Sequence, residues 1–244
     1  MKAIILAAGR GTRLDGAAVK PKCLVEVGGV TLLRRQIDTL KSAGLPDIVI
    51  VIGFGGDSIR AECGNDDITF VENVRFAETS SLYSLSLARE HLTDGFVVLN
   101  CDVLFHPQML TSLLESSYDN ALLLSDTDSH PMGEEEMKVK IRDGRVVDIA
   151  KSLDPREVDG ENVGIVKFSS AGAAALVGYM DELIANGGGK DWAPRAFREF
   201  AQHHTLHALS TRGLPWIEID FPEDYQRAVT EIYPQIERHT FNES

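Results

Sequence analysis

The chain has 244 residues, of which 43% are hydrophobic and 25% charged, and this balance excludes an intrinsically disordered protein. The formal net charge of −13 disfavours nucleic acid and anionic membranes as partners, because an acidic surface repels them. Cys23, Cys63 and Cys101 are widely spaced without a C-x-x-C motif, which predicts reduced thiols in a cytoplasmic protein. We expect neither a signal peptide nor a membrane span, since no apolar run approaches about 20 residues.

The first half of the chain predicts an α/β fold: a single doubly wound, mostly parallel sheet. Residues 3–8 form a continuous apolar run, which is typical of a strand buried on both faces. Strands are predicted at residues 3–8, 47–52, 68–72, 96–100 and 121–125, and helices at 31–43, 57–63, 81–92 and 107–114.

The second half predicts a β-hairpin inserted into this alternation. Residues 137–141 and 145–149 alternate in polarity around Asp143-Gly144, a strong hairpin signal. Strands are also predicted at 164–168 and 216–220, and helices at 170–185, 191–202 and 222–233. We therefore expect one domain over residues 1–233 and a frayed C-terminal tail over 234–244.

The loop after the first strand, in LAAGRGTRL, has the features of an anion-binding loop. Leu14 occupies the third glycine position of the Rossmann pattern G-x-G-x-x-G, which argues against a dehydrogenase. Gly9 and Gly11 allow backbone N–H groups to approach an anion closely. Arg13 can donate to two phosphate oxygens and Lys22 adds a point charge, so the loop suits a triphosphate.

Together, LAAGRGTRL and PKCLVEVGG resemble the signature of nucleotidyltransferases that make activated sugars and activated alcohol phosphates. The resemblance extends to Tyr225 and implies a Rossmann-like nucleotide-diphospho-sugar transferase fold, with an acceptor-binding portion at about 130–215. It implies that Arg13 and Lys22 are catalytic. The implied nucleotide-binding residues are Leu6, Ala7, Ala8, Gly9, Gly11, Thr12, Arg13, Lys22, Thr79, Ser80, Ser81 and Asp102.

Two aspartates follow predicted strands, Asp102 in NCDVLF and Asp220 in WIEIDFPEDY. Ligands of open α/β sheets bind at these strand ends, and Mg²⁺ prefers one or two carboxylates together with phosphate oxygens. The resemblance implies that both aspartates bind Mg²⁺; the alternatives are a turn residue and a residue near a helix N-terminus. Glu223 and Asp224 are interpreted as first-turn helix residues.

The segment ENVRFAETSSLYSLSLAREHL resembles the part of phosphocholine-type cytidylyltransferases that lies beside the base and ribose. This resemblance implies that Thr79, Ser80 and Ser81 contact a pyrimidine, although Glu78-Thr79-Ser80 stands where an asparagine pair is frequent. Helix capping by these serines is the alternative.

The acceptor site is predicted from the hairpin and the segments after it. Lys151 is the candidate for the acceptor phosphate, and Gly164 allows close approach. Trp192 and Asp191 are candidates for binding an ammonium group by cation–π attraction and a counter-charge. The alternatives are an exposed lysine and a core tryptophan. Lys138 and Lys140 are expected on the solvent face of the hairpin.

The resulting hypothesis is a Mg²⁺-dependent nucleotidyltransferase that moves CMP from CTP to a small phosphorylated or phosphonylated alcohol or amine. Phosphocholine and 2-aminoethylphosphonate are examples of such acceptors, and pyrophosphate is released. For catalysis, alignment of the two substrates and neutralisation of their charge suffice, because the acceptor is already an anionic nucleophile. Two alternative functions remain open: a sugar-1-phosphate nucleotidyltransferase that uses UTP, dTTP or GTP, and a catalytically silent nucleotide-binding relative. Assembly into a homo-oligomer also remains open.

Overall fold

A computed structural model describes residues 1–11, 14, 20–126 and 133–242, with side chains through residue 238. Within these residues the strands are β1 (Lys2–Ala7), β2 (Glu26–Val27), β3 (Val30–Thr31), β4 (Ile48–Ile52), β5 (Ile68–Glu72), β6 (Phe96–Asn100), β7 (Val103–Phe105), β8 (Ala121–Asp126), β9 (Lys138–Arg142), β10 (Arg145–Ala150), β11 (Gly160–Phe168), β12 (His207–Ser210) and β13 (Trp216–Glu218).

The α-helices of the described residues are α1 (Leu32–Ser42), α2 (Gly56–Cys63), α3 (Ser81–Leu87), α4 (Pro107–Glu115), α5 (Ser170–Ala185), α6 (Pro194–His203), α7 (Pro222–Arg227) and α8 (Tyr233–Asn242). Short 3₁₀ helices span Lys22–Leu24, Arg89–His91, Pro155–Glu157 and Gly188–Lys190, and a π-helical turn, Ala228–Ile232, joins α7 to α8. Among these helices we find none with the length and apolar character that crossing a bilayer requires.

The main sheet of the described chain has nine strands in the order β5-β4-β1-β6-β11-β8-β12-β10-β9. Strands β5, β4, β1 and β6 are mutually parallel, so their carboxyl ends lie at one edge. Strand β11 runs antiparallel to both β6 and β8. The predicted α/β fold is confirmed, but the sheet is mixed rather than mostly parallel, because the hairpin β9–β10 and the returning β11 add antiparallel pairs.

Helices cover both faces of the sheet, as a doubly wound fold requires. Helices α1, α2 and α4 pack on one face, where Ile5 and Ile37 are fully buried. Helices α3, α5 and α6 pack on the other face around Phe96 and Phe168, whose rings stack with centroids 5.3 Å apart. Because side chains of β1 point alternately to the two faces of the sheet, Leu6 lies on the same face as Phe96 and Phe168.

Two local expectations are wrong. The residues from Tyr233 to Asn242 form α8 instead of a frayed tail, because Ile236 is buried with Val27 and Leu32 in a third apolar cluster. Lys138 is only 1% exposed, so it does not lie on the solvent face. Its ammonium donates hydrogen bonds to backbone carbonyls, which makes this burial tolerable.

Candidate active site

A cavity of about 320 Å³ opens at the carboxyl ends of β1 and β6. The lining residues come from the loop after β1 (the first loop), from the ends of strands, and from the segments before α3 and α6. Residues next to the hairpin β9–β10 complete the lining. Of the residues predicted from sequence, those on its wall are Leu6, Ala8, Gly9, Gly11, Lys22, Thr79, Ser80, Ser81, Asp102, Lys151, Trp192 and Asp220. The structure therefore collects most of the predicted site residues in one cavity.

Asp102, Glu218 and Asp220 form an acidic cluster in this cavity. Strand β13 pairs antiparallel with β7, placing Glu218 opposite Val103, and Ile219 N donates to Asp102 O at 3.0 Å. One carboxylate oxygen from each of the three acidic residues lies within 4.8 Å of the others. This strand pairing brings together parts of the chain that are more than a hundred residues apart.

Gln36 of α1 hydrogen-bonds the backbone on both sides of the turn that carries Asp102. Gln36 is 1% exposed, and its Nε2 donates to Asn100 O at 2.9 Å and to Val103 O at 3.0 Å. These two carbonyls bracket the Cys101–Asp102 turn, so the amide of Gln36 fixes the path of the backbone there.

The backbone that carries Asp220 is held by the helix that follows. Asp224 accepts hydrogen bonds from Asp220 N at 3.1 Å and from Phe221 N at 2.9 Å. This confirms the interpretation of Asp224 as a first-turn residue that caps α7.

Lys22 lies between the two aspartates and compensates part of their charge. Its Nζ donates to Asp102 Oδ2 at 2.7 Å and contacts Asp220 Oδ1. Burial lowers the pKa of Lys22, but the charges and hydrogen bonds of both carboxylates outweigh it and raise the pKa above its usual range. Burial, together with the charges of Asp102 and Asp220, raises the pKa of Glu218 well above its usual range.

The donor set of this cluster fits a magnesium ion. Among the described residues, the acidic side chains of Asp102, Glu218 and Asp220 outnumber the single ammonium of Lys22 at the cluster. Asp102 Oδ1 is buried and has no hydrogen-bond partner among the described residues. A hard divalent cation would satisfy this oxygen and would also lower the repulsion that, after burial, raises the pKa of Glu218.

The first loop lies directly against Lys22. Gly11 has φ +61°, and a Cβ added there would lie 2.8 Å from Lys22 Cβ, so only glycine fits without displacing the lysine. Ala7 packs into the core on the face of the sheet opposite Leu6 and Ala8 and is not on the cavity wall. Thr12 and Arg13 lie outside the described residues.

The segment before α3 forms the second wall of the cavity. Thr79 Oγ1 accepts from Asn73 Nδ2 at 3.0 Å and donates to Arg75 O at 2.8 Å. Ser80 is the N-cap residue of α3 but its side chain makes no capping bond in the described structure. Ser81 Oγ accepts from Ala193 N at 2.8 Å, which ties this wall to the segment that carries Trp192.

The third wall combines an aromatic ring with charged groups. Trp192 is 53% exposed, so the alternative of a core tryptophan is wrong. Lys151 Nζ lies 4.7 Å from the centroid of the Trp192 ring and 3.1 Å from Glu135 Oε2. An aromatic face and a carboxylate therefore already hold a cation at this end of the cavity.

Two predicted acceptor residues are not on the cavity wall. Gly164, with φ +84°, packs behind Asn100, and an added Cβ would lie 2.6 Å from the Asn100 amide nitrogen. Asp191 is half-buried and its backbone carbonyl accepts from Leu82 N at 3.2 Å. Glu135 takes the place expected for Asp191 as the carboxylate near Trp192.

Sequence reasoning missed further polar residues on the wall, among them Asn73, Asn100, Glu135 and Glu218. Glu218 was detectable, because alternate residues of a strand share a face and Glu218 precedes Asp220 by two positions. Glu135 carries no comparable signal, since it lies in a polar stretch outside regular secondary structure.

A glycine-rich loop, a lysine and strand-end carboxylates around one cavity in this fold define a nucleotidyltransferase. The chain belongs to the MobA-like NTP transferase domain family, whose match covers residues 3–134.

Several of the proteins similar to this chain are named as cytidylyltransferases. Choline-phosphate cytidylyltransferase of Streptococcus pneumoniae is 28% identical over 93% of this chain and 96% of its own length. A solved structure of the CTP:phosphocholine cytidylyltransferase of that organism matches with a TM-score of 0.79 and 25% identity, over 93% of this chain and 96% of the other.

A bifunctional IPC transferase and DIPP synthase of Rubrobacter xylanophilus is 30% identical over 91% of this chain. The present chain spans only 50% of the length of that relative.

Proposed function

We propose that this nucleotidyltransferase transfers CMP from CTP to a small phosphorylated or phosphonylated alcohol or amine with a cationic group, releasing pyrophosphate. Phosphocholine and 2-aminoethylphosphonate are the acceptors of this class that we favour. The observation that carries the proposal is that one cavity has the Lys22–Asp102–Asp220 cluster and also an aromatic, carboxylate-flanked cation site at Trp192.

The proposed reaction is a direct displacement at the α-phosphorus of CTP. An acceptor phosphate or phosphonate oxygen forms a bond to that phosphorus, and the bond to the bridging oxygen of the β-phosphate breaks. The electron pair leaves with pyrophosphate. No general base is needed, because the attacking oxygen is already ionised, so charge neutralisation and alignment carry the catalysis.

The nucleotide end of the cavity offers groups for this neutralisation. Backbone N–H groups at Gly9 and Gly11 bind phosphate oxygens, and Arg13 neutralises the departing pyrophosphate. Asp102 and Asp220, with Glu218 beside them, would hold Mg²⁺, which when bound supplies positive charge to the phosphate oxygens. Lys22 lies between the aspartates. In the proposed reaction its ammonium neutralises charge that develops around the reacting phosphorus.

The opposite end of the cavity recognises the acceptor. The acceptor ammonium lies over Trp192 with Glu135 as counter-charge, where the ammonium of Lys151 lies in the structure. Lys151, once displaced, neutralises the acceptor phosphate. Thr79, Ser80 and Ser81, which line the same cavity, contact the pyrimidine. Cys23, Cys63 and Cys101 are free thiols, which suits a cytoplasmic reaction.

Two ligand panels test this proposal. Thermal shifts with CTP, UTP, dTTP, GTP and ATP plus Mg²⁺ identify the nucleotide, because ligand stabilisation rises with the logarithm of concentration over Kd. Pyrophosphate release with phosphocholine, 2-aminoethylphosphonate and glucose 1-phosphate then identifies the acceptor. We expect CTP with a cationic acceptor to be the preferred pair; preference for glucose 1-phosphate or equal shifts by UTP would contradict the proposal.

A variant pair tests the cation site itself. Trp192→Ala removes the ring and should raise the KM for phosphocholine about tenfold, whereas Trp192→Phe keeps an aromatic face and should retain most of the affinity. The KM for CTP should stay constant in both variants. Equal phosphocholine KM values for the Ala variant and the unchanged enzyme would remove Trp192 from the acceptor site.

A further inference from the structure

We propose that Lys138 is a positioning residue that fixes the acceptor end of the cavity. The inference rests on the proposed function for the identity of the acceptor. Lys138 is the first residue of β9 and is 1% exposed, which is exceptional for a lysine. A methionine or leucine would fill such a strand position without a desolvated charge, so the ammonium calls for a specific explanation.

The contacts of Lys138 supply that explanation. Its Nζ donates to Lys151 O at 2.6 Å and to Glu136 O at 3.3 Å. The first carbonyl belongs to the turn after β10, and the second belongs to the segment just before β9. One ammonium therefore ties two irregular backbone segments to each other.

These two segments carry side chains that line the acceptor end of the cavity. Lys151 comes from the first segment, and Glu135 and Met137 come from the second; all three line the cavity. Because the two backbone segments share the ammonium of Lys138, the spacing between Glu135 and Lys151 at the Trp192 ring depends on it. Lys138 thus acts on the acceptor through its neighbours and has no place among the groups that touch the reacting atoms.

An acidic residue lies beside Lys138 on the neighbouring strand. Glu161 of β11 stands opposite Lys138 in the strand register and is 5% exposed. A buried carboxylate on the adjacent strand reduces the desolvation cost of burying an ammonium.

Lys140, two residues further along β9, provides a matched control. Its side chain is 29% exposed and pairs with Glu157 at 2.9 Å. Lys138→Met and Lys140→Met make the same chemical change on one strand, but only the first removes the bonds to the cavity segments.

The first measurement is the KM–kcat split with CTP and phosphocholine. Lys138→Met should raise the acceptor KM about tenfold or more through the lost bonds to a charged donor, with kcat and the KM for CTP changed less than about threefold. Lys140→Met should leave all three values unchanged. A Lys138→Met enzyme with an unchanged acceptor KM, or with CTP affinity lost in equal measure, would overturn the inference.

The second measurement is amide hydrogen exchange, which needs no acceptor. Lys138→Met should speed exchange in residues 134–137 and 151–153, with the core strands β1 and β6 unchanged, and Lys140→Met should not. If wild-type protein fails to use a cationic acceptor, the proposed function is wrong, yet this measurement still decides the role of Lys138. Unchanged exchange in both segments would overturn it.

Lys138→Arg covers the case in which Lys138→Met does not fold. The planar guanidinium keeps the charge but cannot reproduce the geometry of both bonds, so an acceptor KM raised severalfold with normal CTP binding is expected. An Arg variant with unchanged acceptor KM and unchanged exchange in residues 134–137 and 151–153 would contradict the positioning role.

Discussion

Replacing Gln36 by Met should weaken magnesium binding as well as the fold. The change removes two hydrogen bonds, to Asn100 O and Val103 O, from a side chain that is 1% exposed. Each such bond contributes about 0.5–1.5 kcal/mol net, so the free energy of unfolding should fall by about 1–3 kcal/mol. For a chain of this size each kcal/mol corresponds to about 2–4 °C in Tm.

A functional effect should accompany this loss of stability, because the released turn carries Asp102. We expect the Mg²⁺ concentration for half-maximal rate to rise about tenfold, which corresponds to about 1.4 kcal/mol. Mn²⁺ titration followed by paramagnetic resonance measures the same change in binding without turnover. Gln108→Met is the control, since Gln108 is exposed in the first turn of α4. A Gln36→Met protein with lower Tm but unchanged metal affinity would refute the reasoning.

Three further variants test separate parts of the structure. Lys22→Met should lower kcat by about a hundredfold while weakening CTP binding less than about tenfold, measured by turnover and calorimetry; the opposite split would make Lys22 a ground-state contact. Gly11→Ala should lower kcat/KM about tenfold because its Cβ displaces Lys22, whereas Gly29→Ala, also at positive φ but in open space, should not. Hydrogen bonds from Lys41 and Arg34 lower the pKa of Asp66 in the folded protein. The ionised Asp66 therefore stabilises the fold at pH values above its unfolded-state pKa, and this stabilisation is lost as the pH falls through its folded-state pKa. Thermal unfolding of Asp66→Asn should show a deficit of up to about 1 kcal/mol at neutral pH that shrinks as the pH falls below the unfolded pKa of Asp66; a deficit that stays constant on acidification would contradict this.

Much of the fold could be predicted because it depends on local patterns. The apolar run predicted at residues 3–8 forms β1. The hairpin predicted around Asp143-Gly144 is the antiparallel pair β9–β10, and both turn residues have positive φ. The helix predicted at residues 170–185 has the bounds Ser170–Ala185. These elements are specified by the residues within them, so sequence alone sufficed.

The unpredicted elements depend on distant partners. Strand β12, His207–Ser210, is short and half-buried, and it exists through its parallel pairing with β8. A frayed tail is predicted after residue 233 because chain termini are often poorly ordered, but burial of Ile236 against Val27 and Leu32 stabilises helix α8 there. Tertiary contacts outweigh local propensity in both cases.

The candidate site follows the same division. Residues in motifs, such as Gly11, Lys22 and Asp102, were named from sequence and lie on the cavity. Gln36 and Lys138 act through bonds to backbone carbonyls elsewhere in the chain, and no short motif records such a bond. Their roles become visible only when the coordinates place donor and acceptor together.

The central claim is that Asp102 and Asp220 jointly bind a metal ion that contacts the phosphates of CTP. The most direct measurement is a crystal structure with Mn²⁺ and CTP, in which anomalous scattering locates the metal. We predict a peak about 2.0–2.2 Å from a carboxylate oxygen of each aspartate and from an α-phosphate oxygen. A metal bound to the nucleotide but away from both aspartates, or a triphosphate outside the cavity that Lys22 lines, would contradict the account.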